Sequence, residues 1–113
     1  MVDGDIGRCV VELKVEKDHA NMYGTLHGGF SATLIDAVST YALVTDDMES
    51  LKKLGVSVNL SMEYLKAAKV GEDILIDAKL IKRGRNLAFL TAEIRKKETD
   101  ELLVRGSHTK FIG

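Results

Sequence analysis

Apolar and polar residues alternate with a period of two over most of the chain. From Arg8 to Val15, Cys9, Val11, Leu13 and Val15 fall on one side and Arg8, Val10, Glu12 and Lys14 on the other. Four later stretches repeat the pattern. Val56, Val58, Leu60, Met62 and Tyr64 oppose Ser57, Asn59, Ser61 and Glu63, and Ile74, Ile76, Ala78 and Leu80 oppose Leu75, Asp77, Lys79 and Ile81. Ala88, Leu90, Ala92 and Ile94 oppose Leu87, Phe89, Thr91, Glu93 and Arg95. Leu103, Arg105, Ser107, Thr109 and Phe111 oppose Leu102, Val104, Gly106, His108 and Lys110. Period two predicts strands with one face on a core and one in water. The joins Gly71-Glu72-Asp73, Gly84-Arg85-Asn86 and Thr99-Asp100-Glu101 read as turns, and no proline interrupts any strand.

The exception runs from Asn21 to Thr45, a loop feeding a long helix. Between His27 and Thr45 the only formal charge is Asp36, in a chain that is 29% charged. A helix so poor in charge is expected to be buried on most faces, since apolar surface left in water costs about 25 cal/mol per Å². At 100° per residue, Phe30, Leu34, Ala37, Val38, Tyr41 and Thr45 form the expected core stripe. Gly29, Ala32, Thr33, Asp36 and Thr40 form a second stripe of small or polar residues, able to meet another backbone closely. Asp36 lies in it. Burial of a carboxylate raises its pKa, which suits a general acid or base.

Thr25 is a fair N-cap, and His27, Gly28 and Gly29 fill the first helical turn, where N–H groups have no acceptor within the helix. Two glycines there cost about 1 kcal/mol each relative to alanine. Either they let a ligand reach bare N–H groups at the positive end of the dipole, or they serve close backbone packing. Asp46 to Leu54 reads as a charged, solvated loop.

At 113 residues the chain is a single domain, residues 1–113, with ordinary globular composition. Nothing at its start resembles a signal or transit peptide. The Asp, Gly, Ser and Thr content of residues 26–45 argues against membrane insertion. With Cys9 as the only cysteine there is no intrachain disulfide and no thiolate zinc site, which fits a reducing compartment. Net charge is −1 but uneven: residues 1–65 carry 5 basic and 10 acidic groups, and residues 66–113 carry 11 basic and 7 acidic. The basic second half suits a small phosphorylated ligand better than a nucleic acid. His19 and His108 read as surface or strand-face residues, and no metal site is visible.

One long helix after the first of five strands, followed by antiparallel hairpins, predicts an α+β domain in which a five-stranded antiparallel sheet wraps around one central helix, the hotdog fold. Open edges and an open helix face imply dimerisation. The run His19-x-Asn21-x-x-Gly24-Thr25-Leu26-His27-Gly28-Gly29, Asp36 eight residues after Gly28, Gly55-Val56-Ser57-Val58 and Leu87-Ala88-Phe89 together resemble the phenylacetate-type branch of the hotdog acyl-coenzyme A (acyl-CoA) thioesterases. The resemblance spans about residues 8–112. It implies hydrolysis of fatty acyl-CoA to free fatty acid and CoA, a role in lipid metabolism, no separate cofactor, a homodimer or homotetramer, and a cytoplasmic or mitochondrial setting. Carried over residue by residue, it implies Asp36 as general base, Ser57 holding the water, the Gly28 N–H and Asn21 side chain polarising the carbonyl, and His27 beside them. Tyr64, Lys82, Arg83, Gly84, Arg85 and Asn86 are the expected CoA contacts, although a plain basic hairpin turn is the alternative for residues 82–86. Asn59 stands where a relative has Asp, and Phe111 where one has His. Relatives also carry a further N-terminal segment, so Met1 is expected to begin a fragment or a shorter form.

Helix geometry adds one constraint. Eight residues at 1.5 Å rise put Gly28 and Asp36 about 12 Å apart, too far for both to touch one carbonyl. Antiparallel helices facing through the small-residue stripe of a two-fold dimer would bring Gly28 of one protomer to Asp36 of the other. Water activation and direct attack by Asp36 to form an anhydride both remain open. So do a hotdog enoyl-CoA hydratase or dehydratase and a non-catalytic acyl-CoA binding protein.

Overall fold

The computed structural model describes residues 7–19, 24, 28–46 and 56–112. Among the described residues, five strands, β1 (Arg8–Lys14), β2 (Val56–Tyr64), β3 (Asp73–Arg83), β4 (Leu87–Lys96) and β5 (Leu102–Phe111), accompany one helix, α1 (Gly28–Asp46), and a 3-10 turn at Lys17–His19. All strand pairs are antiparallel, in the order β1-β3-β4-β5-β2. The chain therefore leaves one edge of the sheet at β1, crosses one face as α1, and returns at the other edge as β2. This is the expected α+β hotdog arrangement.

The helix leans over β1 and β3 more than over β4 and β5. Its buried face differs from the expected stripe. Ile35, Val38, Ala42 and Leu43 are buried, with Ser31 and Ser39 beside them, whereas Tyr41 is 60% exposed and Ala37 is also exposed. Of the expected stripe, Val38 is buried and Phe30 and Leu34 pack half-buried against the core, so the stripe is turned away from Ala37 and Tyr41. Apolar residues occur on every side of this helix, so hydrophobicity alone did not fix its rotation. Closeness to the sheet did: small Ser31, Ser39 and Ala42 admit the strands, and Ile35 Cδ1 reaches Gly106 on β5, lying 3.5 Å from where a Cβ would stand, an ordinary packing distance. The remaining core comes from Cys9, Ile74, Ile76, Leu90, Ile94 and Leu103. Cys9 is fully buried, and that burial pushes its thiol up, as fits a core residue rather than a nucleophile.

Three bulges break the alternation, the third in β5, where Ile94 pairs with Val104 and Arg95 with Leu102, leaving Leu103 as the extra residue. In β2, Ser57 pairs with Lys110 and Asn59 with Thr109, leaving Val58 as the extra residue. Beyond it, Leu60, Met62 and Tyr64 share the helix-facing side with their partners His108, Gly106 and Val104. Ser57 thus sits on that inner side too, not on the outer side with Asn59 and Ser61 as strict alternation predicts. In β3 the extra residue is Ile81, so Lys82 pairs with outward Phe89 and Arg83 with buried Ala88. Val58 and Ile81 are exposed, whereas Leu103 is buried in the core. In β5 the inner face is Val104, Gly106, His108 and Lys110; His108, expected at the surface, is 1% exposed.

Candidate functional site

Asp36 lies on the side of α1 turned away from the core, with half of its side-chain surface open in the single chain. It is thus not the desolvated carboxylate that the sequence suggests. Gly29, Thr33 and Ala37 are exposed on the same side and Ala32 and Thr40 partly so, which leaves the small-residue stripe as the uncovered face of the helix. Thr33 Oγ1 donates to the Gly29 carbonyl at 3.0 Å and Thr40 Oγ1 to the Asp36 carbonyl at 2.9 Å. Such back-bonding satisfies threonine hydroxyls within a helix.

Opposite Asp36, the bulge in β2 and the inner face of β5 bring up a polar group. Ser57 Oγ is 2.8 Å from His108 Nε2, and the same nitrogen is 3.6 Å from Asp36 Oδ1. Burial pushes the imidazole below its ordinary pKa, opposed in part by the Asp36 charge, so the ring is neutral near pH 7. The carboxylate on its Nε2 side favours the tautomer with the proton on Nε2. That proton is then donated to Ser57 Oγ, which frees the serine hydroxyl hydrogen for a water or a substrate. The buried Nδ1 has no hydrogen-bond partner among the described residues. Two positions along β5, Lys110 is 4% exposed and its Nζ donates to Thr40 Oγ1 at 2.7 Å.

Asp36 and Ser57 stand among the residues expected at the site, whereas His108 reads from the sequence as a surface or strand-face residue and Lys110 is not among the candidates. A signal was present. Arg105 and Ser107 suit water better than Val104 and Gly106, so His108 and Lys110, which share the parity of Val104 and Gly106, belong to the inner face.

Gly28 is the first residue of α1. Tyr64 packs there, donating its hydroxyl to the Gly28 carbonyl at 3.0 Å, with its ring 3.7 Å from where a Gly28 Cβ would stand. Beside them a cavity of about 300 Å³ is lined by Gly28, Ser31, Tyr64, Ile94, Leu103 and Val104, among others. Asn21 and His27, the other residues expected at this end, lie outside the described residues.

The expected CoA contacts divide between the two ends of the sheet. Tyr64 pairs with Val104, while the 84–86 turn lies by Phe111, with the Asn86 carbonyl accepting from the Ile112 N–H at 2.8 Å. Seven strand residues separate these points, about 23 Å. Lys82, Arg85 and Asn86 are exposed, but Arg83 turns inward and one of its terminal guanidinium nitrogens donates to the Leu43 carbonyl near the end of α1 at 3.2 Å. Tyr64 and the basic turn of one chain therefore do not reach a single short ligand together. No cluster of three His, Cys, Asp or Glu able to hold a metal occurs among the described residues, and no helix among them is long and apolar enough to cross a membrane.

The chain matches the model of the thioesterase superfamily over residues 23–103. It is 42% identical over 113 residues to human acyl-coenzyme A thioesterase 13, covering 100% of this chain and 79% of that protein. The zebrafish thioesterase superfamily member 2 structure superposes with a TM-score of 0.93 at 45% identity, covering 99% of this chain and 79% of that one. A Streptococcus mutans protein solved bound to acetyl CoA gives a TM-score of 0.90 at 26% identity, covering 100% of this chain and 86% of that one.

Proposed function

Since the chain belongs to the thioesterase superfamily, we propose that it hydrolyses acyl-CoA thioesters to the free acid and CoA, with Asp36 as general base and the N-terminus of α1 as oxyanion hole. The observation that carries this reading is the convergence of Ser57 Oγ, His108 Nε2 and Asp36 Oδ1, at 2.8 and 3.6 Å from the shared nitrogen, on the open side of the helix.

Asp36 takes a proton from water as the water oxygen attacks the thioester carbonyl carbon, and Ser57, fixed by His108, holds that water. The carbonyl oxygen gathers negative charge in the tetrahedral intermediate. The Gly28 N–H and the Asn21 side chain receive it, each such donor being worth about 3 to 4 kcal/mol. The intermediate then collapses, the C–S bond breaks, and CoA leaves as the thiolate. Because Gly28 and Asp36 of one helix are about 12 Å apart, each site takes Gly28 from one protomer and Asp36 from its partner in a homodimer. The same antiparallel pairing relieves the division of the CoA contacts, by setting the Tyr64 end of one protomer beside the basic-turn end of the other. A cover over the exposed helix face would also remove Asp36 from water, which one protomer alone leaves undone.

A hydratase or dehydratase reading asks for a histidine and a carboxylate together, and His108 with Asp36 is such a pair. His108 is 1% exposed and its Nε2 is engaged by Ser57, so it does not reach a substrate carbon. Release of free thiol from an acyl-CoA panel separates the two reactions. Asp36→Ala is expected to retain acyl-CoA binding and lose about 10²-fold or more of thiol release. Binding without any turnover by the wild type identifies a non-catalytic binding protein, and unchanged turnover in Asp36→Ala removes Asp36 from the mechanism.

A further inference from the structure

Lys110 is a charged side chain placed where charge is costly. It is 4% exposed, and an ammonium taken out of water costs several kcal/mol unless compensated. In register it stands opposite Ser57 on β2 and Ala88 on β4, where the small alanine leaves space for a long apolar stem. Its Nζ donates to Thr40 Oγ1 at 2.7 Å, and Thr40 Oγ1 donates to the Asp36 carbonyl at 2.9 Å. The relay joins β5 to the single turn of α1 that bears Asp36. Burial pushes the ammonium below its ordinary pKa, and the charge of Asp36 pulls it back up. Among the described residues the titratable groups facing Asp36 are His108 and Lys110, both from β5. The inward residues of β4 at this level are Ala88 and Leu90, β2 contributes Ser57, and Arg83 is held at Leu43, about two turns along α1.

We propose that Lys110 is a positioning residue for the thioester hydrolysis: through Thr40 it fixes the helical turn carrying Asp36, and its buried ammonium is the fixed counter-charge that favours the proton-accepting carboxylate. The Lys110 ammonium donates to the threonine hydroxyl and not to the carboxylate. A direct ion pair would occupy the oxygens that must receive a proton from water, whereas a charge held one side chain away supports the carboxylate and leaves those oxygens free. His108 stays neutral in the same site because burial outweighs the Asp36 charge there. The ammonium is thus the cation that the carboxylate meets.

This inference rests on Asp36 being the base, and it is tested in two arms. Lys110→Met keeps an unbranched stem and removes the charge. In the thiol-release assay the acid limb of its kcat/KM against pH profile is expected to move up by about one pH unit, with activity regained at higher pH. An unmoved limb, or a loss uniform across pH, overturns the proposal. The second arm needs neither turnover nor the folding of that variant: the side-chain amine of Lys110 is titrated by NMR in the wild type and in Asp36→Asn. Coupling is reciprocal, so the Lys110 midpoint is expected to fall in Asp36→Asn by an amount matching the shift of the acid limb. A midpoint that stays in place overturns the proposal. Wild-type protein that releases no thiol rejects the thioesterase reading alone, and the NMR titration still decides whether Lys110 and Asp36 act on each other.

Discussion

Ser57 Oγ lies 2.8 Å from His108 Nε2 because β2 carries one residue more than β5 across from it, at Val58. The bulge turns Ser57 toward the helix while Asn59, two positions on, faces outward. Removal of the hydroxyl leaves the buried Nε2 without its hydrogen-bond partner. Ser57→Ala is therefore expected to cost about 1 to 3 kcal/mol of stability in urea denaturation, in addition to lowering kcat for thiol release by about 10²-fold. A fall in kcat with no loss of stability breaks the link drawn between the two residues.

His108 makes stability depend on pH. Burial holds its folded pKa below the ordinary 6.5, with Asp36 opposing. On acidification the unfolded chain takes up the proton first, so the stability owed to neutral His108 is fully present above pH 6.5 and is lost as pH falls through the folded value. Denaturation at about pH 7.5 and about pH 5 is expected to show a decline in the wild type that is reduced in His108→Gln. Equal declines in both proteins assign the acid sensitivity to other groups.

A site shared between two protomers, as proposed, predicts complementation. Asp36→Ala removes the base from one protomer and Asn21→Ala removes the carbonyl contact expected from the other. Each variant alone has two defective sites. A mixed dimer has one doubly defective site and one intact site, so mixing the two under conditions that allow subunit exchange restores thiol release. No recovery, with exchange confirmed by native mass spectrometry, places both residues in a site made by one chain.

The strands were legible in the sequence because alternation is local. Val56–Tyr64 and Leu102–Phe111 were bounded as observed, and Asp73–Arg83 and Leu87–Lys96 extend the predicted runs by only one to three residues. The long helix was legible from its lack of charge, but its rotation was not, since Tyr41 and Ala42 are both plausible core residues and only the packing of the helix on the sheet decides between them. None of the three bulges shows in the pattern, because Val58, Ile81 and Leu103 are apolar residues that suit either face. Asp36 stood out as a lone charge. His108 and Lys110 did not, since a histidine and a lysine in a strand read first as a solvated face, and their burial depends on which face of β5 meets α1.

The basic turn separates two arginines by what each touches. Arg83 donates to the Leu43 carbonyl near the helix end, where a cation also suits the dipole, whereas Arg85 is exposed in the turn. Arg83→Ala is expected to lower stability by about 1 to 2 kcal/mol. Arg85→Ala is expected to leave stability unchanged and to raise KM for acyl-CoA several-fold, with an effect that shrinks at high salt. An unchanged KM in Arg85→Ala, measured with a panel of acyl-CoA substrates, removes this turn from the CoA contacts and leaves it a hairpin connection.

Ser39 gives a stability test independent of any chemistry. Its side chain is fully buried between α1 and the sheet, and its hydroxyl has no hydrogen-bond partner among the described residues. A hydroxyl so placed loses its water without replacement, while the small volume of the residue is what lets the helix sit close. Alanine keeps the closeness, removes the stranded oxygen and is the better helix former. Ser39→Ala is thus expected to raise the free energy of unfolding by about 1 kcal/mol. Ser39→Val, which adds volume at the same contact, is expected to lower it by about 1 to 3 kcal/mol. If urea titration finds Ser39→Ala less stable than the wild type, the hydroxyl has a partner in the folded protein and the contact between helix and sheet needs redrawing at that point.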